Sequence, residues 1–115
     1  MNERPHLDEE ALAELQEVME EEFDILINTY LKDSRERIDA LRAALQQPDF
    51  DTFTKAAHSF KGSCFNIGAP RLGSLCQQAE TAGRERRLHE ADDLVGLIDA
   101  EFVTIRDMLE RSLKT

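Results

Sequence analysis

Glycine is scarce in this chain. Its five glycines are scattered through 115 residues, and no glycine-rich loop stands before a helix to cradle ATP phosphates. Cysteine is scarcer still. Cys64 and Cys76 are twelve positions apart with no Cys-x-x-Cys spacing, so they read as two buried free thiols rather than a zinc site or a disulfide framework. Positive charge is outnumbered, 14 Lys and Arg against 24 Asp and Glu, for a net charge of −10. A surface of that sign repels nucleic acid and anionic lipid, which removes both from the expected partners. No apolar run reaches the ~20 residues of a membrane span, and the N-terminus lacks a signal-peptide pattern, so the expected location is cytoplasmic. Valine, threonine and aromatic residues are sparse, whereas leucine, alanine, glutamate, arginine and glutamine are plentiful, a balance that favours helix over sheet.

Five amphipathic segments fill the chain. The first runs from about Asp8 to Met19, with Asp8 as N-cap and Leu12, Leu15, Val18 and Met19 facing inward. The second, from about Glu22 to Gln46, carries Ile27, Leu31, Ser34, Ile38, Leu41 and Leu45 along one seam. The third, from about Asp51 to Ile67, has the stripe Phe53, Ala57, Phe60, Cys64 and Ile67 and stops at Gly68. The fourth begins at Pro70 and buries Leu72, Leu75, Cys76 and Ala79. The fifth runs from about Glu90 to Leu113 through Leu94, Ile98, Phe102, Ile105 and Leu109. Short connections after the second helix force antiparallel neighbours. The expected fold is all-α: an antiparallel up-down-up-down four-helix bundle with an additional short N-terminal helix. Residues 1–115 read as a single domain, with residues 1–7 as a flexible tail and His6 and His89 as incidental.

Within the third segment, His58 stands about 100° around the helix from the buried Ala57, off the apolar stripe. Lys61 and Gly62 lie one turn on, on the same side. Lys61 has no acidic residue one turn before it. A mid-helix glycine costs about 1 kcal/mol relative to alanine, so an outward Gly62 implies that something approaches closely. An imidazole, a cation and bare backbone therefore share one exposed face.

The string Ala57-His58-Ser59-Phe60-Lys61-Gly62, with Gly68, Ala69, Leu72 and Leu75 following, resembles the signature of histidine-containing phosphotransfer (HPt) domains. The motif spans about a quarter of the chain and the helix layout nearly all of it. The resemblance implies a phosphorelay carrier. His58 would accept a phosphoryl group from the receiver aspartate of a hybrid sensor kinase and pass it to the receiver aspartate of a response regulator. Lys61 would stabilise charge in the transfer, and Glu80, on the following helix, would hydrogen-bond and orient the imidazole. Arg84, one turn past Glu80, would either pair with Glu80 or reach the phosphoryl group. Receiver domains would dock over His58, Gly62, Phe65, Gly73 and Gln77, helped by the first helix; for Phe65, a docking contact and a partly buried flank of the stripe stand equal.

The implied protein is a stoichiometric carrier and not an enzyme, with no cofactor and no metal of its own; magnesium and catalytic carboxylates would come from the receiver. Read as complete, the chain is a standalone carrier and a monomer. Three competing readings are a helical adaptor without chemistry, a di-metal carboxylate bundle and a fragment of a chemotaxis-type kinase. The second lacks its paired Glu-x-x-His motifs, since the only such string is Glu3-Arg4-Pro5-His6. The third lacks an ATP-binding motif.

Overall fold

The structure is a computed structural model that describes residues 4–113. Its elements are α1 (Glu9–Met19), a 3-10 turn (Glu20–Glu22), α2 (Phe23–Gln46), α3 (Phe50–Ile67), α4 (Pro70–Arg84) and α5 (Leu88–Leu113), with no strand among the described residues. The four longer helices form a ring in which α2 packs on α3, α3 on α4, α4 on α5 and α5 on α2. This is the up-down-up-down bundle that the short connections require. At 1.5 Å per residue, the 26 residues of α5 run about 39 Å, close to the 42 Å long axis of the molecule. The short α1 lies outside the ring, against α2 and the 3-10 turn.

Local chemistry sets the helix ends. Asp8 caps α1 by accepting from the Ala11 amide at 3.1 Å. Asp49 accepts from both the amide and the hydroxyl of Thr52, and this double cap starts α3 at Phe50, just before the expected Asp51. Gly68 stops α3 in the left-handed region, φ +88°, and a Cβ there would also touch Ala11 and Asp8 of the N-terminal segment. Apolar side chains fill the inner surface. Phe53, Phe60, Phe102, Ile27, Ile38, Leu41, Leu72, Ile98, Ile105 and Leu109 are fully buried.

Three expectations fail here. Val18 does not face inward; it is 81% exposed. Being outside the ring, α1 has neighbours on one side only and seats Leu12, Leu15 and Met19 half-buried against the core. Residues 4–7 are also not a free tail, although residues 1–3 lie outside the described residues. Leu7 is buried, the Arg71 side chain donates to the Arg4 carbonyl at 2.7 Å, and the Asp8 amide donates to the Gly68 carbonyl at 2.7 Å. His6 is not incidental, for its Nδ1 lies 2.6 Å from the carboxylate of the buried Glu101. Glu101 needs a partner at that depth, and His6 supplies it.

Candidate functional site

α3 places His58 at mid-helix, and the Phe53–Ile67 stripe that anchors α3 leaves the imidazole outside the core, with its side chain 66% exposed. α4 supplies the opposing group. Glu80 is buried, yet its carboxylate comes 3.0 Å from His58 Nδ1. The two helices can meet this closely because α4 is lined with small residues on that side. A Cβ at Gly83 would fall 2.5 Å from Thr54 Oγ1 and 2.7 Å from the Phe53 ring, so only glycine admits α3 here. Gly83 lies one turn past Glu80.

Glu80 gathers three basic side chains. Oε2 takes His58 Nδ1 and the Arg84 guanidinium, each at 3.0 Å, and Oε1 is 2.8 Å from Lys61 Nζ. The Lys61 contact is an ion pair at hydrogen-bond distance. Burial alone would push the Glu80 carboxyl up, but the bonds and charges of Lys61 and His58 outweigh it and hold the carboxyl below its ordinary range. Glu80 is therefore ionised at neutral pH and can only accept. His58 Nδ1 is therefore the donor in this contact, and in the neutral ring Nε2 carries the lone pair.

Lys61 finds its partner across the helix interface, where no residue one turn back on its own helix could reveal it. Of the two roles open to Arg84, the geometry gives the salt bridge to Glu80. Arg37 of α2 was also missed; it donates to Ser59, the neighbour of His58.

The residues expected to meet a partner divide. A Cβ at Gly62 would have open space around it, with nothing within 4 Å, so this glycine is not a helix-packing device. Gly62 also lines an open groove of about 760 Å³ between α1, α2 and α3, with Leu15, Met19, Leu26, Thr29 and Asn66. Gln77 is exposed, in a separate cavity between α4 and α5. Gly73 departs from expectation. It is buried, and the Phe65 ring occupies the space above it, 2.9 Å from where a Cβ would stand. Its missing side chain accommodates Phe65 and leaves no approach for a partner backbone. Phe65 is both core flank and surface: one part covers Gly73, the residue remains 40% exposed, and Arg4 stacks over the ring at 5.7 Å.

Comparison with known proteins agrees with this geometry. A protein-family model described as the Hpt domain matches residues 25–115. The crystal structure of histidine-containing phosphotransfer protein B (HptB) from Pseudomonas aeruginosa PAO1 superposes with a TM-score of 0.91 at 41% sequence identity, covering 94% of each chain. Two plant proteins share the fold at lower identity. A histidine-containing phosphotransfer protein from maize has a TM-score of 0.87 at 24% identity, covering 95% of this chain and 84% of its own. A putative one from rice has 0.87 at 20%, covering 95% and 82%. No curated protein matches the sequence. A helical bundle that seats an exposed histidine on a buried carboxylate, matched by the family model over 25–115 and by the Pseudomonas structure over nearly its whole length, makes this chain a member of the Hpt domain family.

Proposed function

We propose that the chain is a phosphorelay intermediate with His58 as the phosphoacceptor, taking its phosphoryl group from the receiver aspartate of a hybrid sensor kinase and passing it to that of a response regulator. The observation that carries the reading is the exposed imidazole held through Nδ1 by an ionised carboxylate. In the first transfer the Nε2 lone pair attacks the phosphorus of an aspartyl phosphate. An N–P bond forms, the acyl O–P bond breaks, and the aspartate leaves as carboxylate. The proton on Nδ1 stays in place, so the phosphorylated ring gains positive character that Glu80 balances across 3.0 Å. The second transfer is the reverse reaction on another aspartate. The transferring group is loosely bonded and anionic, so positioning and charge carry the step. Magnesium and the acidic residues that bind it belong to the receiver in this scheme. The chain itself is consumed and regenerated stoichiometrically.

Docking over Gly62 and the neighbouring α1–α2–α3 groove would bring a receiver pocket onto His58, which lies one turn, about 6 Å, from Gly62. Phe65 and Gln77 extend the same face on its α4 side. The protein acts as a monomer in the cytoplasm in this reading, in keeping with the absence of any helix among the described residues long and apolar enough to cross a membrane. The test is incubation with a phosphorylated receiver domain, followed by mass spectrometry under alkaline conditions. Phosphohistidine is expected at His58. A protein that binds receivers but never carries phosphate would instead be an adaptor.

A further inference from the structure

The groove beside Gly62 has an unusual rim. Val18 and Ile25 are 81% and 66% exposed. Val18 lies one turn after Leu15 and Ile25 one turn before Thr29, so each extends one wall of the groove as an apolar ledge. Around these ledges the charge is of one sign. From Pro5 to Leu31 there is no lysine or arginine, and there are nine carboxylates. Glu14, Glu17, Glu20, Glu21, Glu22 and Asp24 are all exposed, and none makes an ion pair among the described residues. Elsewhere Asp99, Glu80, Glu85 and Glu110 are paired with arginine or lysine, while Asp39, Asp92 and Asp93, also exposed, make no ion pair among the described residues. The nearby cations are few: Arg37 is turned to Ser59, and Lys32 is exposed two turns past Ile25 on α2.

We propose that this rim selects the partner: the groove takes a receiver-domain surface helix with an apolar centre flanked by lysine and arginine, its apolar side chains meeting Val18 and Ile25 and its cations meeting the unpaired acids. The inference rests on the phosphorelay reading and adds a sign to it. Exposed apolar side chains gain by leaving water, and unpaired carboxylates at the edge of such a patch attract a basic partner over a Debye length of roughly 8–10 Å at physiological salt. A receiver with an acidic docking helix would meet like charge and be rejected by the same surface.

The experiment measures the rate of phosphoryl transfer from a panel of phosphorylated receiver domains whose docking helices range from basic to acidic. It is run at low and high salt on the wild type and on two triple variants. Glu17→Gln/Glu21→Gln/Asp24→Asn neutralises the rim. Asp39→Asn/Asp92→Asn/Asp93→Asn makes the same change in net charge away from the groove. Circular dichroism checks that both remain folded. Basic-faced receivers are expected to transfer at least about ten-fold faster at low salt, within the range of electrostatic steering. High salt and the rim triple should each erase most of that advantage, and the distant triple should not. Equal slowing by both triples, or rates indifferent to receiver charge, overturns the proposal while His58 phosphorylation stands. Failure of every receiver to phosphorylate His58 removes the phosphorelay reading and this inference with it.

Discussion

Replacing Glu80 tests the site most directly, because three basic groups lose one partner. His58 and Arg84 are mostly exposed, at 66% and 62%, so water replaces much of what they lose and each contact is worth about 0–1 kcal/mol. Lys61 differs. Its side chain is only 24% exposed, and its ammonium lies 2.8 Å from the buried Oε1. Stranding a fully buried charge costs about 3–5 kcal/mol. A partly buried one falls between the two limits, so Glu80→Ala should cost roughly 2–3 kcal/mol in total. For a domain of this size that lowers Tm by roughly 6–12 °C. Glu80→Gln keeps an acceptor for Nδ1 and fills the same volume, so it should cost about half as much.

The acid limb carries a second signature. Because the folded-state pKa of Glu80 is depressed, its stabilisation is complete at neutral pH, above the ordinary carboxyl value of about 4.3. It disappears as pH falls through the lower folded value. The wild type should therefore exceed Glu80→Gln in Tm at neutral pH and lose that advantage in strong acid. Thermal melts across pH, with nitrogen NMR of the His58 ring to read its tautomer, measure all of this. A Glu80→Ala protein that melts within a degree or two of the wild type, with the proton still fixed on Nδ1, would refute the clamp.

The remaining predictions separate chemistry from packing. His58→Gln should melt like the wild type and carry no phosphate after incubation with a phosphorylated receiver; phosphate retained on the variant would move the acceptor elsewhere. Gly62→Gln has open space for its side chain and removes a poor helix former, so it should be neutral or stabilising by up to about 1 kcal/mol, yet block receiver binding, as titration calorimetry would detect. Lys61→Ala should slow transfer by about 1–3 kcal/mol of barrier if its charge reaches the phosphoryl group, and leave the rate unchanged if it serves only Glu80. Gly73→Ala should destabilise by about 1–3 kcal/mol through overlap with the Phe65 ring, and Phe65→Ala in the same chain should recover most of that loss; additive effects in the double-mutant cycle would mean that the ring does not rest on Gly73.

What the sequence made legible follows from how far each signal reaches along the chain. The four long helices show periodic apolar residues over several turns, and their stripes met in the core nearly as read, with Leu31, Leu45 and Leu75 only partly buried. His58 was legible as the residue off its own stripe, and Glu80 through the resemblance. Contacts that depend on how two helices meet left no periodic trace. Lys61 is bound across the α3–α4 interface, and no rule about its own helix finds Glu80 there. The same holds for Gly73, whose bare backbone looks like an approach for a partner until the Phe65 ring of α3 is seen to fill it. Residues 4–7 are too short to show periodicity, so the burial of Leu7 and the His6–Glu101 contact were not readable.

Gly83 shows what such contacts decide. Read along the chain, it weakens the end of a helix by about 1 kcal/mol relative to alanine. Across the interface, its missing Cβ is the space that Thr54 and the Phe53 ring occupy, one turn past the carboxylate that holds His58. Any larger residue would push α4 away from α3, and a hydrogen bond of 3.0 Å loses most of its strength if its partners separate by even 1 Å. The local cost in helix propensity is thus offset by an interhelical distance on which the orientation of the imidazole depends, and that exchange is visible only once both helices are in place.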